Sequence, residues 1–128
     1  MYKQEVENIV KEVYPLIQKY YGKSKFNGGA PKVDYHHSIW ARITGVHNAE
    51  GDFYPAADFE RETNTIWIYY PEAVDEAWVI QTLIHEYTHY LQDGKEMKRL
   101  YDEEGYEYDN HPFEIEATKA ENDWKIFV

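Results

Sequence analysis

Residues 85–89 read His-Glu-Tyr-Thr-His. Two imidazoles four positions apart share one face of an α-helix, one turn from each other, where both can reach a single ion. On a helical wheel of about 100° per residue with Val79 at zero, His85 falls at about 240° and His89 at about 280°. Glu86 falls at about 340°, beside the pair but angled away from direct ligation. From there a carboxylate can serve as general base on a metal-activated water. Histidine pairs at this spacing also arise by accident on solvated helices. Here Val79, Leu83, Tyr87 and Tyr90 lie between about 0° and 80°, so the opposite face is apolar and the histidines stand outside the core stripe.

The chain has no cysteine, which excludes thiolate ligation and disulfides. A catalytic zinc site takes three protein ligands and keeps a position for water, so a third His, Asp or Glu is required. The stretch from His111 to Glu121 offers Glu114, Glu116 and Glu121. With Phe113 at zero, the residues Phe113, Ala117, Ala120 and Trp124 form the apolar stripe. Glu116 lies on one shoulder at about −60°, and Glu114 and Glu121 on the other at about 100° and 80°. Only one shoulder can face the histidines.

These residues need elements to carry them. Val6, Ile9, Val10, Val13, Ile17 and Tyr20 recur at helical spacing, so residues 3–21 read as an amphipathic helix that Pro15 should kink or split. Val33 to Thr44 reads as a strand, which would put His36 and His37 on opposite faces. These two and His47 are read as ordinary polar or half-buried histidines. Residues 57–71 read as a hairpin around Glu62, Thr63 and Asn64, with Thr65–Tyr70 its stronger strand. A long helix from about Asp75 to Asp93 follows, capped by Asp75 and stopped by Gly94. Residues 95–110 read as a short helical turn and an acidic, tyrosine-rich loop. Pro112 opens the last helix at its first position. The order of helix, strands and two further helices predicts an α+β domain with a small, mostly antiparallel sheet.

At 128 residues, 43% of them apolar, the chain suits a single domain with a real core. Its 13 tyrosines suit a core that merges into a polar cleft. A net charge of −11 argues against nucleic acid or an anionic membrane as partner. The charged N-terminal stretch reads as neither signal peptide nor membrane span, so a monomeric cytoplasmic protein is expected. Residues 1–32 are either an integral helix and loop or a latch across the site.

The motif "HEYTH", followed about 25 residues on by "PFEIEA", resembles the zincin metallopeptidases and, within them, a minimal gluzincin. The metzincin pattern of a glycine and a third histidine soon after the motif is absent from "HEYTHYLQDGKEMK". The resemblance spans residues 33–125 at the level of element order. It implies a zinc-dependent peptidase of the endopeptidase class, with one Zn²⁺ per chain and an extended peptide or protein as substrate. His85, His89 and a glutamate would be the ligands, and Glu86 the base. The wheel and the resemblance together favour Glu116 over Glu114. Thr65–Tyr70 would be the sheet edge that receives the peptide. Tyr108 and His111, with Tyr106 near them, are candidates to stabilise the oxyanion. The gluzincin pattern around the third ligand carries an Asp where this chain has Ala120. A carboxylate behind the histidines must then come from elsewhere, with Glu121 and Asp123 as examples and neither placed. A second reading, suggested by the small size, is a zinc-binding module of zincin fold that recognises a protein partner without cutting it.

Overall fold

The computed structural model describes residues 1–37 and 57–128. Helix α1 spans Lys3–Tyr21, strand β1 Lys32–His36, strand β2 Ala57–Glu60 and strand β3 Thr65–Tyr69. Helix α2 spans Glu76–Leu91, α3 Gly94–Glu103 and α4 Pro112–Ala120, with a 3-10 segment Glu121–Phe127 after it. The protein is α+β. No helix among the described residues is long and apolar enough to cross a membrane.

Helix α1 runs through Pro15 without a break. Pro15 is solvent-exposed, so the Lys11 carbonyl that loses its donor can turn to water. Val6, Val10, Val13 and Ile17 are all buried and join the core that α2 builds from Val79, Ile80, Leu83, Ile84 and Tyr87. The N-terminal helix thus supplies one face of the core. The loop behind it is fastened by tyrosines. Tyr87 donates to Gly22 O at 2.5 Å, Tyr90 to Gly28 O at 2.6 Å, and Tyr14 to Pro31 O at 2.5 Å. Each ring fills the core while its hydroxyl satisfies a loop carbonyl, which accounts for part of the tyrosine richness.

The sheet has the order β1-β3-β2. The hairpin of β2 and β3 is antiparallel, pairing Ala57 with Ile68 and Glu60 with Thr65. Asn64 closes its turn at φ 51°, a left-handed conformation that asparagine tolerates. Strand β1 runs parallel to β3, pairing Val33 with Ile66 and His36 with Tyr69. The sheet is therefore mixed, not mostly antiparallel, and β3 is its centre. The expectation that Thr65–Tyr70 forms the receiving edge is corrected: both edges of β3 are occupied, and β2 lies at the rim. Residues 38–44 of the expected first strand, and His47, lie outside the described residues. His36 and His37 do not diverge. Their rings stack at 4.7 Å, because the strand ends at His36 and strict alternation ends with it.

Helix α2 begins as expected, with Asp75 accepting from Trp78 N at 2.8 Å. Gly94 is not its stop. It is the first residue of α3, which Asp93 caps by accepting from Lys95 N and Glu96 N. In place of the expected short turn stands a ten-residue helix, Gly94–Glu103. Arg99 supports it by pairing with Glu96 and Glu103 along its surface. Gly94 is needed for another reason. A Cβ there would meet the Arg61 side chain at 2.5 Å. Arg61 crosses this point to donate to His89 O at 3.1 Å and Gln92 O at 3.3 Å, closing the C-terminal end of α2.

Candidate metal centre

His85 and His89 project from adjacent turns of α2, with ring centroids 5.0 Å apart. The carboxylate that meets them comes from the first turn of α4. Glu114 Oε2 lies 3.2 Å from His85 Nε2, and Glu114 Oε1 lies 2.9 Å from His89 Nε2. One ligand atom from each of the three residues falls within 4.8 Å of the others. The third carboxylate is Glu114, and the preference for Glu116 is corrected. The physical reason is the rotation of α4 about its own axis. Ala117 is fully buried against α2, and the buried arc runs through Glu114 and Ala117 rather than centring on Phe113. Glu116 is left on the exposed side, with its Oε1 2.7 Å from Gln92 Nε2.

The shoulder that carries Glu114 also carries Glu121, two turns on. Glu121 Oε2 lies 2.8 Å from His85 Nδ1, so it is the carboxylate behind that histidine. Asp123, the other candidate, instead accepts from Tyr21 OH at 2.7 Å. His89 Nδ1 lies 2.7 Å from Gln92 Oε1. Each ring therefore presents Nε2 to the centre and has Nδ1 held from behind, the arrangement in which imidazoles ligate metals.

The charges are strongly coupled. Burial alone would lower the pKa of His85, but hydrogen bonds to Glu114 and Glu121 and the charge of Glu86 outweigh it and raise it to about 10. Burial would raise Glu114, yet its hydrogen bonds to both histidines bring it down to about 2. Glu86 is pushed up to about 7 by burial, against the opposing pull of His89 and His85. Among the described residues nothing hydrogen-bonds to the Glu86 carboxylate.

Glu86 and the three cluster residues open onto a cleft of about 300 Å³. Ala57, Asp58 and Phe59 of β2 form one wall, with Arg61 and Met97 beside them. Tyr108 also lines the cleft, within hydrogen-bonding reach of Glu114. Partial burial and then the charges of Glu114 and Glu86 push its phenol upward, which keeps it a proton donor. His111 does not reach the cleft. It is fully buried, accepts from Phe113 N at 3.0 Å as the cap of α4, and its Nε2 lies 3.0 Å from Met97 O. Its role as an oxyanion group is corrected to that of a pin fixing where α4 starts, and hence where Glu114 stands. Tyr106 packs its ring near that of His111.

Sequence reasoning did not single out Gln92, Arg61 or Asp58. Gln92 was within reach, since it follows His89 by three residues on the same helical face. Asp58 and Arg61 had no such signal, because their place depends on how the hairpin packs across α2.

The donor set fits a metal of the zinc class: two imidazoles, one carboxylate, no thiolate and an adjoining cleft. Tetrahedral zinc holds its ligand atoms roughly 3.3 Å apart. The three candidate ligand atoms, one from each residue, lie within 4.8 Å of one another, so small side-chain movements would bring them to that spacing. Comparison with known proteins returns no matching family model, no matching curated sequence and no matching solved structure.

Proposed function

We propose that the chain is a zinc-dependent hydrolase of peptide bonds, with His85, His89 and Glu114 holding one ion and Glu86 as general base. The observation that carries this reading is the Glu86 carboxylate: buried, without a hydrogen-bond partner among the described residues, and facing the same cleft as the cluster. A site that merely stabilises a fold has no use for such a group. This is what separates the reading from that of a non-catalytic zinc module with a protein partner.

When bound, zinc would supply a Lewis acid and a water of lowered pKa. Glu86 would take a proton from that water as its oxygen bonds to the scissile carbonyl carbon. It would then give the proton to the leaving amine as the C–N bond breaks. Tyr108 would donate to the oxygen that becomes negative. The peptide would lie extended along β2, whose Ala57, Asp58 and Phe59 line the cleft and which pairs on one side only among the described residues.

The test is a peptide-library digest by the zinc-loaded chain, with and without chelator, beside Glu86→Gln. Specific cleavage that the chelator abolishes is expected. The variant should keep its zinc and lose about 10²–10⁴-fold in rate. Unchanged cleavage by a zinc-loaded Glu86→Gln protein would refute the assignment of the base.

A further inference from the structure

Gln92 directly follows α2, and its side-chain amide is enclosed, with the residue only 6% exposed. Its Oε1 lies 2.7 Å from His89 Nδ1. Its Nε2 lies 2.7 Å from Glu116 Oε1 and 3.0 Å from Phe113 O. A side-chain amide can in general be turned end for end. Here both partners on the α4 side are acceptors, a carboxylate and a backbone carbonyl, so the NH₂ end must face them. The amide oxygen is then obliged to face His89. That oxygen only accepts, so His89 Nδ1 carries a hydrogen whatever the charge of the ring. Nε2 is left as the nitrogen that faces Glu114 in the cleft.

We propose that Gln92 is a positioning residue that fixes His89 with its hydrogen on Nδ1, and that Glu116, from the surface of α4, orients Gln92. The two histidines are thus held by different chemistry. His85 has a carboxylate behind it and His89 a neutral amide. A second carboxylate behind His89 would add to the negative charge of Glu86, Glu114 and Glu121 around one small centre. The amide holds the ring without adding charge, and its own direction is set by the carboxylate one step further out. The fixing of the ring stands on hydrogen-bond geometry alone. Its consequence, that Nε2 is reserved for an ion, rests on the metal-binding reading above.

Long-range ¹H–¹⁵N spectra of the full chain with ¹⁵N-labelled histidine report which ring nitrogen carries hydrogen, without metal and with Zn²⁺ alone. The wild type should show a hydrogen on His89 Nδ1 in both states. Gln92→Met removes the acceptor at similar length. It should abolish the fixed Nδ1–H pattern in the metal-free state and weaken zinc binding about 10–100-fold. Glu116→Leu, at an exposed position, should loosen the pattern with the fold intact, whereas Glu116→Gln keeps an acceptor and should restore it. Should Gln92→Met fail to fold, the two Glu116 variants decide. A wild-type His89 with no hydrogen on Nδ1 overturns the proposal. So does a wild-type pattern and wild-type zinc affinity in both Gln92→Met and Glu116→Leu. A chain that takes up no zinc yet loses the Nδ1–H pattern in Gln92→Met upholds the positioning and removes only the metal reading.

Discussion

Zinc affinity should fall with acidity along a slope that the carboxylates around His85 set. In the metal-free protein the ring carries both hydrogens, one on Nδ1 toward Glu121 at 2.8 Å and one on Nε2 toward Glu114 at 3.2 Å. Its pKa is raised to about 10. An ion at Nε2 must therefore displace a proton at any pH below that. Glu114, held at about 2, is already ionised and releases none near neutrality. The proton displaced from His85 alone gives an apparent Kd that rises at least tenfold per pH unit, so at least about 100-fold from pH 9 to pH 7. The assay is competition with a chromogenic chelator across this range. Calorimetry in two buffers of different ionisation enthalpy counts the proton directly. Glu121→Gln removes one of the groups that raise His85, so the slope should flatten at a lower pH. The same shift has a sign for folding. His85 rises from 6.5 to about 10, so its stabilisation of the metal-free protein is full below about pH 6.5 and is lost as the pH climbs through about 10. A pH-independent Kd between 7 and 9, with no proton released, would refute this account of the cage.

Tyr108→Phe should keep zinc and lower kcat about 10²–10³-fold with little change in KM, as expected for loss of one oxyanion donor; an unchanged kcat would leave Tyr108 as a wall of the cleft only. Deleting residues 1–21 should unfold the chain. Val6, Val10, Val13 and Ile17 are each at most 4% exposed, and losing four such side chains costs about 6–12 kcal/mol, comparable with the whole stability of a domain. Near-UV circular dichroism and the cooperativity of melting read this out, and a truncated chain that still melts cooperatively contradicts the integral role of α1.

What was legible in the sequence is what local periodicity encodes. The apolar arc of α2 and the placing of His85, Glu86 and His89 off it follow from spacing alone, as does the cap at Asp75. The hairpin turn at Asn64 was legible from turn chemistry. The rotation of α4 was not. Periodicity places Glu116 on one shoulder and Glu114 with Glu121 on the other, but only packing of Ala117 on α2 decides which shoulder turns inward. The pairing of Glu114 with Glu121 on the wheel did hold the answer, since one shoulder could supply both a group for Nε2 and a group for Nδ1 of His85. Gly94 was misread because a glycine after an apolar run signals a helix end. Asp93, one position earlier, restarts the helix, and Arg61 needs the missing Cβ. The place of β3 at the sheet centre depends on which strand pairs with which, and single-strand patterns do not carry that information. His111 had the residue type for catalysis but lies in the sequence context of a helix cap, directly before Pro112.

The central claim is that His85, His89 and Glu114 form a metal centre, and its most direct test is the zinc content of the purified chain by elemental mass spectrometry. The account predicts about one zinc per chain, lost in Glu114→Ala and His85→Ala and retained in Glu116→Ala at saturating zinc. No zinc in the parent after metal-replete purification would contradict it, and zinc lost with Glu116 but kept without Glu114 would contradict the geometry on which it stands.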